Sequence, residues 1–252
     1  MHRGSAALLL VFTFIGGVQS LYAQTPERVL VMPFDTVRRE GRLFWLTEAS
    51  AVALTDDLNA LGAGAITRQE RLQAFERLQV PPAAALTDAT VIRIGQIVGA
   101  AQVVVGSLQV DGDTLIVRAR SIALDTGRVR ADVTDRGPLP ELFAIFERIA
   151  RRLAPASGRS AEEIEGQHPP IAVFEDFIKG ILAETPATAI NYLNAALARL
   201  PSFDRARLAL WDVHAEQGDH ARALAAVTAI AANSPFARQA RFLAGLSQLN
   251  LK

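Results

Sequence analysis

Few residues in this 252-residue chain are of a type and spacing that does chemistry. Asp125-Thr126-Gly127 is the tripeptide that carries a catalytic carboxylate in aspartic-protease chemistry, which needs two such carboxylates facing each other across a shared water. Here it lies between two apolar alternating runs, where Asp and Gly are favoured for backbone reasons, so it reads as a turn. Asp111-Gly112-Asp113 opens like a calcium loop and lacks the later ligands. Gly62 and Gly64 follow a helical pattern instead of a strand, and the third glycine of a phosphate loop is missing; they read as a helix cap. Of the four histidines, His2 leaves with a targeting segment and His168 lies in a polar linker. His214 and His220 flank a helix-turn-helix with no glutamate at zinc-protease spacing. Cysteine is absent, which excludes thiol catalysis and thiolate metal sites. A Walker lysine loop and a nucleophile elbow are missing as well. The expectation is a protein with no catalytic residues, no metal and no cofactor.

The elements that carry these residues are organised around Val98 to Val133, which reads as three consecutive antiparallel strands. Asp111-Gly112 between apolar runs predicts a two-residue type I′ hairpin, whose central residues both need positive φ. That loop pairs Val110 with Asp113, Leu108 with Leu115, Gly106 with Val117 and Val104 with Ala119. One face is then apolar, while Ser107, Gln109, Thr114, Arg118 and Arg120 share the other. A three-residue loop is expected at Asp125-Thr126-Gly127, with Gly127 left-handed. Val129, Ala131 and Val133 continue the alternation. Ile122 and Leu124 break it, which requires a bulge near Ser121 or a sheet covered on both faces at that end.

Half the residues are hydrophobic, and 26 basic side chains balance 26 acidic ones. Such a chain is globular, and its formal neutrality gives no support for a nucleic-acid surface, which needs a concentrated basic face. His2-Arg3, the apolar run Ala6–Val18 and Leu21-Tyr22-Ala23 make a secretory signal with cleavage expected after residue 23. The alternative is a retained anchor; no later stretch is long and apolar enough to span a membrane. Export without disulfides suits a bacterial periplasm. A periplasmic or secreted location is expected.

Along the chain, Arg28–Phe34 reads as a buried strand stopped by Pro33. Leu43–Leu61 follows as a helix, with Leu46, Ala49, Ala53, Leu54, Leu58 and Leu61 at helical spacing. Ala65–Thr67 makes a short strand. Gln69–Leu78 and Ala89–Val98 are helices, the second capped by Thr87 or Asp88. After the meander, Pro138–Leu153 is an amphipathic helix whose Arg148, Arg151 and Arg152 form a solvated face. The strand ending in Met32-Pro33-Phe34, the long helix, Val98-Gly99-Ala100-Ala101 and the meander VVVGSLQVDGDTLIVRARSIALDTGRV together resemble the amino-terminal domain of the TolB translocation protein and its envelope relatives, including the FlgO and CsgG groups. The resemblance spans Arg28 to Leu153. It implies an α/β domain with helices on a mixed sheet, a binding role in the envelope and no catalytic residues. The membrane-inserting segments and lipidated cysteine of CsgG have no counterpart here, so a secretion pore is not implied.

Residues 24–154 form this domain, and residues 155–170, rich in Pro, Gly and Ser, read as a linker. Residues 171–252 then hold an internal repeat, with Pro201 and Pro235 standing 34 positions apart. Ala189 aligns with Ala223, Leu193 with Val227 and Phe203 with Ala237. This fits a tetratricopeptide array of helix pairs, with a lone helix from Arg238 as a third copy. The fold class expected is thus a mixed-sheet α/β domain followed by an all-α tetratricopeptide array. By resemblance to that family, the first helix of each pair lines a groove. Arg205, Leu208, Asp212, Glu216, Gln239, Phe242 and Leu246 would bind a partner there. Phe174, Ile178 and Ile181 are too apolar to stay solvated, and dock on the first domain or anchor a partner's side chain. The function expected is non-catalytic recognition of other envelope proteins or peptides. The alternative is a small-ligand sensor or hydrolytic enzyme using a cleft between the domains, favoured by a deep polar pocket with convergent ionisable groups.

Overall fold

The computed structural model describes residues 27–37, 41–81, 86–154 and 168–252. The expected signal segment and most of the expected linker lie outside the described residues.

Two short pieces, β1 (Val29–Val31) and β2 (Asp35–Thr36), make one interrupted edge of a five-stranded sheet. Both run parallel to β3 (Gln102–Asp111), with Val29 opposite Gln102 and Asp35 opposite Ser107. The single strand expected over Arg28–Phe34 is therefore broken. Pro33 has no N–H for the ladder, and the Phe34 N–H turns away to the Thr47 carbonyl (3.3 Å) and Ser50 Oγ (3.2 Å). The strand expected at Ala65–Thr67 is a single parallel bridge between Val29 and Ala65.

β3, β4 (Thr114–Ala123) and β5 (Val129–Pro138) form the antiparallel meander. The first hairpin keeps its two-residue loop and its two faces, but the loop is Gly112-Asp113. Val110 pairs with Leu115, Leu108 with Val117 and Gly106 with Ala119, two residues away from the expected partners. Gly112 has φ +59° and Asp113 does not share the positive φ, so the turn is of type II′ and not I′. At the second turn the Ala123 N–H donates to the Arg128 carbonyl (2.9 Å), leaving Leu124 to Gly127 as a four-residue loop. Gly127 is left-handed, at φ +67°. A bulge lies between Ser121 and Ile122, and that end is also covered on both faces.

α1 (Trp45–Ala60) and α4 (Leu142–Leu153) pack on one face, where Val104, Leu108, Leu115, Val117 and Ala119 are buried. α1 ends as its glycine predicts: the Ala63 N–H reaches the Leu58 carbonyl (2.8 Å) and Gly62 adopts φ +81°. α2 (Arg68–Arg77) and α3 (Asp88–Ile97) cover the other face over Leu30, Met32 and Val103, joined by Ile122 and Leu124. Thr67 and Glu70 form a reciprocal capping box on α2, and Thr87 caps α3. Leu139–Glu141, expected as the first turn of the long amphipathic helix, is a 3₁₀ turn leading into α4.

The remaining chain is helical: α5 (Ile171–Leu182), α6 (Pro186–Arg199), α7 (Asp204–Glu216), α8 (His220–Thr228) and α9 (Ala237–Asn250). Thr185 caps α6 with Pro186 in its first turn, and Asp219 caps α8 just after left-handed Gly218. Gly180 of α5 lets the Leu193 side chain of α6 come so close that an added Cβ would lie 2.8 Å from it. Trp211 Nε1 donates to Ser247 Oγ (2.8 Å) and ties α7 to α9. Consecutive helices pair, but the apolar core does not stop between sheet and helices. Phe174, Phe177, Ile178, Leu193 and Phe203 belong to the same cluster as Phe34, Trp45 and Phe146.

Candidate functional site

The first helix of the helical part, α5, turns its apolar strip onto α1 and α4. Phe174 and Ile178 are fully buried, and Ile181 is half-buried against the same cluster. The Phe174 ring lies 4.9 Å from Phe143 of α4. Over this first helix pair, the groove expected for a partner is filled by α1.

A buried polar network reinforces the junction. Glu48 of α1 accepts from Arg68 Nε at 2.8 Å and pairs with Arg71, whose side chain is 2% exposed. Arg71 Nη1 also donates to the Val31 carbonyl (3.0 Å), at the sheet edge where β1 ends. Arg68 Nη2 donates to the Ile181 carbonyl (3.1 Å), one of the orphan acceptors at the end of α5. Two arginines of α2 thus meet on the Glu48 carboxylate of α1, and Arg68 carries the network on to α5.

Arg205 is drawn into the same junction and does not stand free on a groove. It pairs with Asp56 of α1, and its guanidinium lies 5.1 Å from the centre of the Phe177 ring. Leu208 is half-buried in a small cluster with Trp211, Val227, Ile230 and Leu243. Asp212 keeps a solvent-accessible edge, yet its carboxyl is pushed up to about 6, first by loss of solvation and then by Glu216, against an opposing pull from Arg68.

α9 behaves differently. Phe242 is 66% exposed and Leu249 67%, with Leu251 just beyond the helix at 51%. With Gly245 and Leu246 they line an open recess of about 700 Å³ bordered by Arg241, Gln248 and Lys252. Gln239 is exposed on the preceding turn. The structure therefore separates the expected site residues: Phe174, Ile178, Ile181 and Arg205 lie at the junction, Leu208 in the small apolar cluster beside α8 and α9, and Asp212, Glu216, Gln239, Phe242 and Leu246 towards solvent.

A second concavity, of about 670 Å³, lies between α1, α4 and the start of α7. Asp57 of α1 is at its wall, 1% exposed, and His168 Nε2 stands 3.1 Å from Asp57 Oδ1. The imidazole stacks on Phe143, with centroids 4.4 Å apart and planes 11° apart. Neither the Glu48–Arg71 network nor the Asp57–His168 pair was expected from the sequence. The available signal was acidic residues on the apolar stripe of a helix: Asp57 stands three residues after Leu54 and four before Leu61.

The motifs weighed for chemistry stay apart. Asp125 is exposed in its loop and accepts from Thr126 Oγ1 at 3.3 Å. His214 is buried in α7, and His220 opens α8. Arg148 Nε lies 3.0 Å from Asp135 of β5, which Arg152 also pairs with, while Arg151 pairs with Glu147 at 2.9 Å. Among the described residues, no group of three or more His, Asp or Glu is placed to hold a metal ion, and no helix is long and apolar enough to cross a membrane.

No protein-family model matches the chain, and no curated protein matches it. Solved structures do. The C-terminal domain of LpoB from Salmonella enterica aligns at 19% identity with a TM-score of 0.35, over 45% of this chain and 83% of that one. Lipoprotein GNA1162 from Neisseria meningitidis aligns at 14% identity with a TM-score of 0.36, over 52% of this chain and 99% of that one. TolB from Acinetobacter baumannii, whose family the sequence resembles, aligns at 14% identity with a TM-score of 0.35, over 52% of this chain and 28% of that one.

Proposed function

We propose that this chain is an exported bacterial envelope protein that recognises other envelope proteins or peptides and does no chemistry of its own. In this reading α5–α9 are a tetratricopeptide-like array fastened to a TolB-like domain, and the later half of the array takes the partner. The observation that carries it is the apolar strip of α9. Phe242 and Leu249 are left two-thirds exposed by a chain that buries Phe34, Phe146, Phe174 and Phe177 almost completely. Apolar side chains gathered on one exposed face mark an interaction surface more often than scattered ones do. Arg241 and Lys252 border the strip and Glu216 lies on the surface of α7, which suits an extended or helical segment with an apolar anchor and mixed charges.

The test is capture from an envelope extract on immobilised protein, with bound proteins identified by mass spectrometry. Truncating a buried aromatic anchor typically weakens binding by about 2 kcal/mol or more, so Phe242→Ala should lose the captured partner while keeping the wild-type melting temperature. Undiminished capture by Phe242→Ala, together with equal capture by Leu246→Ala, would remove α9 from the interface.

A further inference from the structure

We propose that the cleft between α1, α4 and the start of α7 is a binding site for a small organic cation, a primary ammonium group on an aromatic or aliphatic body. The cleft holds about 670 Å³, within the range of small-molecule sites. Its wall carries a carboxylate with an unmet need. Asp57 is 1% exposed, and neither of its side-chain oxygens accepts an aligned hydrogen bond. His168 Nε2, at 3.1 Å, pairs with Asp57 by charge but without an aligned hydrogen bond, so a better-oriented N–H donor can compete for the carboxylate. A buried carboxylate in this condition favours any cation that can reach it with N–H groups free to orient, and an ammonium has three.

The rest of the lining selects for positive charge. Asp204 adds a second carboxylate, which accepts from Ser234 Oγ at 2.6 Å and has Arg207 Nε at 3.8 Å. The guanidinium in the wall, that of Arg205, is already held by Asp56 and the Phe177 ring. Among the described residues, anions therefore find no free cation in the lining except the histidine that Asp57 faces. Phe143, Phe174 and Phe203 supply the apolar walls. The volume has room for a body about the size of one aromatic ring, with Asp57 as the acidic end of the cleft.

The probe is 2-phenylethylammonium, titrated calorimetrically into the full chain. The expected result is saturable single-site binding, weakened at least about tenfold by Asp57→Asn, which keeps the side-chain shape and removes one charge-assisted contact. The neutral isostere 2-phenylethanol should bind the wild-type protein at least about tenfold more weakly than the amine. No saturable binding at millimolar probe, equal binding of the alcohol, or unchanged affinity in a folded Asp57→Asn variant would each overturn the assignment. Should Asp57→Asn fail to fold, the comparison of amine with alcohol on the wild-type chain decides alone. Phe242→Ala should bind the amine as the wild type does, which separates this site from the surface on α9; a loss of amine binding in that variant would place the probe on α9 and overturn the cleft.

Discussion

At the scale of single residues, the junction between sheet and helices depends on charges taken out of water. Arg71 is buried with Glu48 as its only carboxylate partner among the described residues. Removing one member of such a pair leaves the other charge stranded, which costs more than the pair is worth against apolar replacements. Glu48→Gln should therefore lower the unfolding free energy by about 3 kcal/mol in urea titrations; a loss within error of zero would show that Arg71 reaches another acceptor. His168 gives a pH test. Burial opposes its protonation, but Asp57 and Asp56 of α1 and Glu147 of α4 outweigh it and hold the imidazole above its ordinary value of 6.5. A raised pKa in the folded state means that the protonated imidazole stabilises fully below 6.5, and that this contribution disappears as pH rises through the folded value. Asp57 is shifted in the same sense from 3.8, chiefly by burial and against the pull of His168, so its titration also removes stability as pH rises. His168→Gln should flatten the fall in melting temperature as pH rises above 6.5; an unaltered slope would mean the histidine does not sense Asp57. These residues were hard to read from sequence for one reason. α1 is enclosed by the sheet, α4 and α5, so it has no solvated face on which Glu48 and Asp57 could be assumed to lie.

At the scale of elements, the meander shows what alternation determines and what it leaves free. Side-chain parity assigned the faces correctly, because Gly112-Asp113 and Asp111-Gly112 are both two-residue loops and a shift by one at each end preserves the faces. Parity cannot choose between them. The observed frame places Val110 opposite Leu115, whereas the expected one placed it opposite Asp113, so cross-strand apolar pairing decides. Asp125 fits its turn assignment, and Asp125→Asn should cost about 1 kcal/mol or less by thermal unfolding, since Asn tolerates the same geometry. Gly106 is different. A Cβ there would lie 2.4 Å from the Phe34 ring and 2.5 Å from the Arg118 carbonyl. The ring is locked in the core and the carbonyl belongs to the ladder, so neither can yield cheaply. Gly106→Ala should destabilise by about 1–3 kcal/mol, the range for overpacking, and a melting temperature equal to wild type would contradict this packing. Nothing in the sequence marked Gly106 beyond a glycine within a strand, because the ring it accommodates is more than seventy residues away.

For the whole molecule, the division into a sheet part and helix pairs was legible from the change in hydrophobic period, and the helix pairs from the spacing of Pro201 and Pro235. How the parts join was only half legible. The apolar face of α5 announced that it had to be covered, and α1 and α4 cover it through Phe143, Phe174 and Ile178. The sequence could not show that this contact also fills the first part of the expected groove and draws Arg205 to Asp56. What is left open is the surface of α7 and α9 beyond Leu208. Phe174→Ala should therefore act on stability, by about 3–5 kcal/mol for a buried Phe, and affect partner binding only through unfolding. The most direct measurement of the binding claim is site-specific photo-crosslinking in the intact envelope. A photoreactive phenylalanine analogue is placed at Phe242, at Leu246 and, as a control, at exposed Arg118 on the sheet. One discrete protein adduct is expected at positions 242 and 246 and none at 118. Adducts confined to position 118, or none at 242 and 246 in a protein shown to be folded and exported, would contradict it.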